Sequence, residues 1–107
     1  MVPTRDFMET VKERARRDPA FAKALLDEAA TLFLNGEPHT ARLILRDLVN
    51  ASVAVETLAA ETNRPSKSLH RMLSEKGNPS MNNLAAIFGV VRKRPGVDID
   101  ARVVEAG

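Results

Sequence analysis

The stretch NRPSKSLHRMLSEKGNPSMNNLAAIF, residues 63–88, reads as two short helices in succession. At about 100° per residue, Leu69, Met72 and Leu73 fall on one arc of the first helix. The opposite arc is centred on Lys67 and Arg71, with Ser66, His70 and Ser74 beside them. A helix this short is marginal in isolation, so neighbouring elements must hold its apolar arc. Gly77, Asn78 and Pro79 end it, and Ser80 is placed to cap the next helix. In that helix Leu84, Ile87, Phe88 and Val91 make an i, i+3, i+4, i+7 stripe, the strongest periodic signal in the chain.

Working outward, the remaining chain also reads as helix after helix. Phe7, Met8, Val11 and Ala15 form one apolar stripe, which RRDP interrupts. Asp18 is a candidate N-cap and Pro19 suits the first helical position. Phe21, Leu25, Ala29, Leu32 and Phe33 continue at helical spacing until Asn35 and Gly36 supply a stop. A further helix is expected after EPHT, with Leu45, Leu48 and Val49 inward and its end near Asn50. A short one holds Val55, Leu58 and Ala59.

At 107 residues the chain suggests a single domain with one modest core. It has no cysteine, which excludes a disulfide framework and a thiolate metal site and fits a reducing cytosol. The apolar stretches are short, and the N-terminus lacks the apolar centre of a signal peptide, so a cytoplasmic protein without a membrane span is expected. Charge is unevenly placed. Between Arg64 and Arg94 seven basic residues face one acidic residue, giving +6, and the remaining 9 basic and 13 acidic residues give −4. Such asymmetry suits a face that meets a polyanion, and it also suits a solvated surface.

Catalytic patterns are missing. His39 and His70 lie in different elements without metal-ligand spacing, and there is no Gly-rich phosphate loop or nucleophile elbow. Asp27 and Glu28 are adjacent on a helix and point different ways. No enzyme activity, cofactor or metal is expected.

The C-terminus differs in kind. GVDIDARVV alternates Val97, Ile99, Ala101 and Val103 with Asp98, Asp100 and Arg102, a period-two pattern that predicts a strand. No other strand is evident in the chain, so its hydrogen bonds would have to come from a symmetry mate, a partner protein or water.

The segment ETLAAETNRPSKSLHRMLSEKGNPSMNNLAAIF, residues 56–88, resembles the helix-turn-helix of the lambda-repressor-like (Cro/C1, XRE) superfamily. The Leu58–Ala59 pair, the turn at Asn63, the inward Leu69 and GNPS before the closing helix occur in the expected order. Over residues 5–92 the chain is similar to the HigA-like addiction-module antidote family. Two positions depart from the superfamily pattern. Asn63 replaces a common turn glycine, although asparagine tolerates the left-handed conformation, and Pro65 stands where a capping serine or threonine is usual.

The periodicities and the resemblance together lead to an all-α protein of about six helices with a lambda-repressor-like helix-turn-helix, and the alternation adds a short C-terminal β-strand. Residues 1–107 would form a single DNA-binding domain, with an N-terminal helical pair at 5–36, a helix-turn-helix core at 38–94 and a strand or tail at 95–107. The resemblance further implies a homodimer that binds double-stranded DNA and represses its own operon, often with a RelE/ParE-type toxin as partner. The alternative is a protein-interaction module that neutralises a toxin, with DNA binding secondary or absent. In a helix-turn-helix the second helix enters the major groove. Ser66, Lys67 and Arg71 then become candidate base contacts, since arginine and lysine reach guanine O6 and N7. Arg64, His70, Asn78 and Ser80 become candidate phosphate contacts, the last two at a helix N-terminus. Val97, Ile99, Ala101 and Val103 become candidates for pairing with a partner strand. Each has a plainer reading: Lys67 and Arg71 as a solvated pair, His70 as an ordinary surface histidine, Ser80 as a cap. Arg92, Lys93 and Arg94 suit a helix C-terminus, where cations are favoured.

Overall fold

The computed structural model describes residues 13–107. A helical turn at residues 13–17 precedes α1 (Pro19–Leu34), α2 (Pro38–Ser52), α3 (Val55–Thr62), α4 (Ser66–Met72) and α5 (Met81–Val91). The described residues contain no strand, and the fold is all-α. Of the first expected stripe, Ala15 is buried, while Phe7, Met8 and Val11 lie outside the described residues.

Local chemistry sets most helix ends. The Asp18 carboxylate accepts from the Ala20 and Phe21 amides at 3.0 and 3.3 Å, ahead of Pro19 at the first position of α1. Asn35 closes α1, its Nδ2 donating to Thr31 O at 2.8 Å, and Gly36 follows at φ 88°. Ser80 Oγ accepts from Asn83 N at 3.1 Å and caps α5. Helix α2 corrects the sequence reading at both ends: it begins at Pro38, inside EPHT, and runs to Ser52. Proline is well suited to start a helix there because its missing N–H would have had no partner.

The inward face of α1 agrees with the expected stripe at Ala29 and differs elsewhere. Its buried residues are Ala22, Leu26, Ala29 and Ala30, while Phe21, Leu25, Leu32 and Phe33 are only half-buried. This helix carries apolar residues on more than one side, so periodicity alone does not choose a face. The rings of Phe21 and Phe33 sit at partly exposed positions. Phe21 lies under the Arg14 guanidinium, 4.4 Å from its ring centre, and Phe33 meets Phe88 with ring centroids 6.4 Å apart.

One core joins all five helices. Leu26, Leu45, Leu48, Val49, Leu58, Leu69, Leu73, Ile87 and Val91 are its most enclosed side chains. Leu69 of α4 and Leu73 just beyond its end insert into this cluster, and α4 packs against α3. The expected inward positions of the last stripe hold for Leu84, Ile87 and Val91, with Phe88 half-buried and Val90 added.

Ala54, between α2 and α3, has φ 71° and ψ 147°, a region that non-glycine residues adopt only under strain. It is held there because its amide reaches back to Val49 O at 2.8 Å and closes α2. Ala54→Gly is therefore expected to raise stability by about 1 kcal/mol, the relief of strain exceeding the added freedom of the unfolded chain. Urea denaturation measures this, and a loss of stability would contradict the strained geometry.

The C-terminal strand expectation needs correction. Residues 97–107 form no regular structure. Val97 packs on the core, and Arg92 Nη1 donates to Val97 O at 3.4 Å and Asp98 Oδ1 at 3.0 Å. The chain then follows α1, sharing grooves with Lys23, Asp27 and Leu34. A strand is defined by ladder hydrogen bonds, and no second extended segment among the described residues offers them. Ile99, Ala101 and Val103 are all exposed, so alternation here marks no intrachain buried face.

Candidate nucleic-acid interface

Helices α3 and α4 are joined by residues 63–65. Asn63 takes the left-handed conformation, φ 55° and ψ 44°, as its side-chain type allows, and its amide bonds Ala59 O. Pro65 occupies the N-cap position in extended conformation without a side-chain cap, so α4 starts at Ser66. The amides of Ser68 and Leu69 return to Pro65 O at 3.0 and 3.2 Å.

This geometry sorts the expected site residues. Lys67, His70 and Arg71 are exposed on the outer side of α4, and Ser66 is half-buried at its first turn. The side chains of Lys67, His70 and Arg71 make no hydrogen bond or ion pair with the described residues. Asn78 and Ser80 are exposed in the connection to α5. Arg64 is placed differently from the others. Its Nε donates to Asn83 Oδ1 at 2.6 Å and its Nη1 to Thr62 O at 2.9 Å, making it a strut from the end of α3 to the first turn of α5. Its remaining donors are those available to a phosphate.

The basic window does not form one continuous patch. Arg64, Lys67, Arg71 and Lys76 cluster around α4, while Arg92, Lys93 and Arg94 follow the far end of the 11-residue α5. Arg64 is bonded to Asn83 in the first turn of α5, and the rise of that helix sets Asn83 roughly 14 Å from Arg92 along the axis. Arg92 is also paired with Asp98.

Two residues position α4: Arg42, which sequence reasoning missed, and Gly77, which it read only as a helix stop. Arg42 of α2 donates from Nε to Ser74 O and from Nη2 to Glu75 O, both at 3.1 Å, and so satisfies carbonyls just beyond the C-terminus of α4. Its Nη2 also lies 3.2 Å from His39 Nδ1, which accepts, since a guanidinium only donates. The partners are 32 and 33 residues apart in sequence, so no local signal marks them. Gly77 is the second residue. A Cβ there would collide with the carbonyl oxygens of Arg71 and Met72, backbone atoms that cannot move aside without unwinding the end of α4.

No protein-family model, curated protein or solved structure matches this chain. No helix among the described residues is long and apolar enough to cross a membrane.

Proposed function

We propose that this protein is a sequence-specific DNA-binding transcriptional regulator. It acts as a homodimer with α3 and α4 as its helix-turn-helix, in the manner of the HigA-like antitoxins it resembles. One observation carries the reading: α4 is fixed from inside by Leu69 and Leu73, yet leaves Lys67 and Arg71 exposed and uncommitted. A second helix so held presents its outer side to a major groove. Ser66, Lys67 and Arg71 are assigned to base edges, and Arg64, His70, Asn78 and Ser80 to the sugar-phosphate backbone. A dimer would set two such helices on half-sites about one DNA turn, roughly 34 Å, apart.

A toxin-neutralising role is the second reading, favoured by exposed apolar side chains at the C-terminal tail and at the end of α1. Leu34, Ile99, Val103 and Val104 are all exposed, and the tail backbone lacks a ladder partner. An extended segment of this kind can add to the sheet edge of a RelE/ParE-type toxin or of a second subunit.

The test is titration of the duplex upstream of the coding sequence at several salt concentrations. Arg64, Lys67 and Arg71 bring three fixed cations per subunit, six per dimer, up to the DNA, which gives a slope of log K against log salt near −5. Affinity should then fall about a thousandfold between roughly 50 and 200 mM salt. Affinity that ignores salt, or no binding at low salt, removes the DNA reading and leaves the interaction-module reading.

A further inference from the structure

We propose that the cavity between α1, α2 and α5 is a binding site for a small monocarboxylic acid with a compact apolar tail, read by Arg42. The cavity has a volume of about 100 Å³ and is walled by Phe33, Leu45, Leu84 and Phe88, with Arg42 and Asn78 as its polar members. Its size is below the roughly 150 Å³ of an apolar cavity that accommodates benzene, so it suits a branched chain of a few carbons. No acidic side chain lines it. A mostly apolar wall with few convergent polar groups is the usual composition of a small-molecule site, and a lone guanidinium selects a carboxylate.

Arg42 gives this site an output. Its Nε and Nη2 hold the carbonyls of Ser74 and Glu75, while Nη1 makes no hydrogen bond to the described residues. A carboxylate first meets Nη1 and then competes with two neutral carbonyls and His39 Nδ1 for the rest of the guanidinium, since bonds between two charged groups are the stronger. Occupancy therefore loosens the clamp on the loop that follows α4. Weakened DNA binding is the consequence under the function proposed above, but ligand binding itself does not depend on that function.

The full chain, labelled with ¹⁵N and free of DNA, is titrated with isovalerate and separately with 3-methylbutan-1-ol, which keeps the carbon skeleton and lacks the charge. Saturable amide shifts are expected at Leu45, Leu84 and Phe88 and also at Ser74–Lys76, with a Kd on the order of 1 mM for so few ligand atoms. The alcohol should bind about tenfold more weakly or not at all, the equivalent of one lost charge-assisted bond. Ala41→Leu, which fills the cavity wall, should abolish the wild-type shifts. Absence of saturable shifts up to about 20 mM isovalerate, equal binding of the alcohol, or shifts confined to exposed basic residues overturns the proposal. Because no DNA is present, a failure here leaves the DNA reading intact, and a failure of DNA binding leaves this site intact.

Discussion

Arg71→Ala is expected to lower the ratio of specific to nonspecific DNA affinity by about five- to 150-fold, the equivalent of about 1–3 kcal/mol for one bidentate base contact. The side chain projects from the outer side of α4 and bonds nothing among the described residues, so its removal should change folding stability by no more than about 0.5 kcal/mol. That separation makes the measurement clean, because an altered ratio cannot be ascribed to a damaged fold. Lys93→Ala is the comparison. It lies beyond the far end of α5, and any phosphate contact it makes should weaken specific and nonspecific sites alike. Competition binding against an upstream duplex and a scrambled duplex gives both ratios. An Arg71→Ala protein with an unchanged ratio would mean that α4 is not the helix that reads bases.

The second large effect is expected inside the fold. Leu69 is wholly buried at the centre of the inner side of α4, in the cluster that contains Leu58, Leu73 and Ile87. Leu69→Ala should cost about 3–5 kcal/mol, from lost apolar transfer and the cavity left behind. A domain of this size has only about 5–15 kcal/mol in total, so the melting temperature should fall by on the order of 15–25 °C. Helix α4 has seven residues and little stability of its own, which makes it the element most dependent on that side chain. Circular dichroism melting of Leu69→Ala beside Lys67→Ala tests the orientation directly. Lys67 is exposed, and its loss should be nearly neutral. Comparable losses from the two substitutions would refute the inward and outward faces of α4 described above.

The function proposed here depends on features that differed in how far the sequence revealed them. The outward set on α4 was legible because the short helix has a single apolar arc, Leu69, Met72 and Leu73, and geometry sends Lys67 and Arg71 to the other side. The strut role of Arg64 was not legible, since its partner Asn83 belongs to another helix. The clamp from Arg42 was hidden for the same reason, and Gly77 reads from sequence as a turn signal without revealing the carbonyl oxygens it must pass.

By itself the sequence determined what depends on near neighbours along the chain. Asp18 and Ser80 cap helices because their side chains reach amides two or three residues away. Asn63 turns left-handed because its own side chain tolerates it, and α5 buries one stripe because its spacing repeats each turn. Tertiary structure decided what depends on distant neighbours. It turned Ala22 and Leu26 of α1 inward in place of Phe21 and Leu25, because α1 is apolar on several sides and only packing against the other helices chooses among them. It also forced Ala54 into a glycine-like conformation to close α2 onto Val49. Residues 97–107 form no strand, because alternating side chains describe a strand's faces while its existence requires a second backbone to bond.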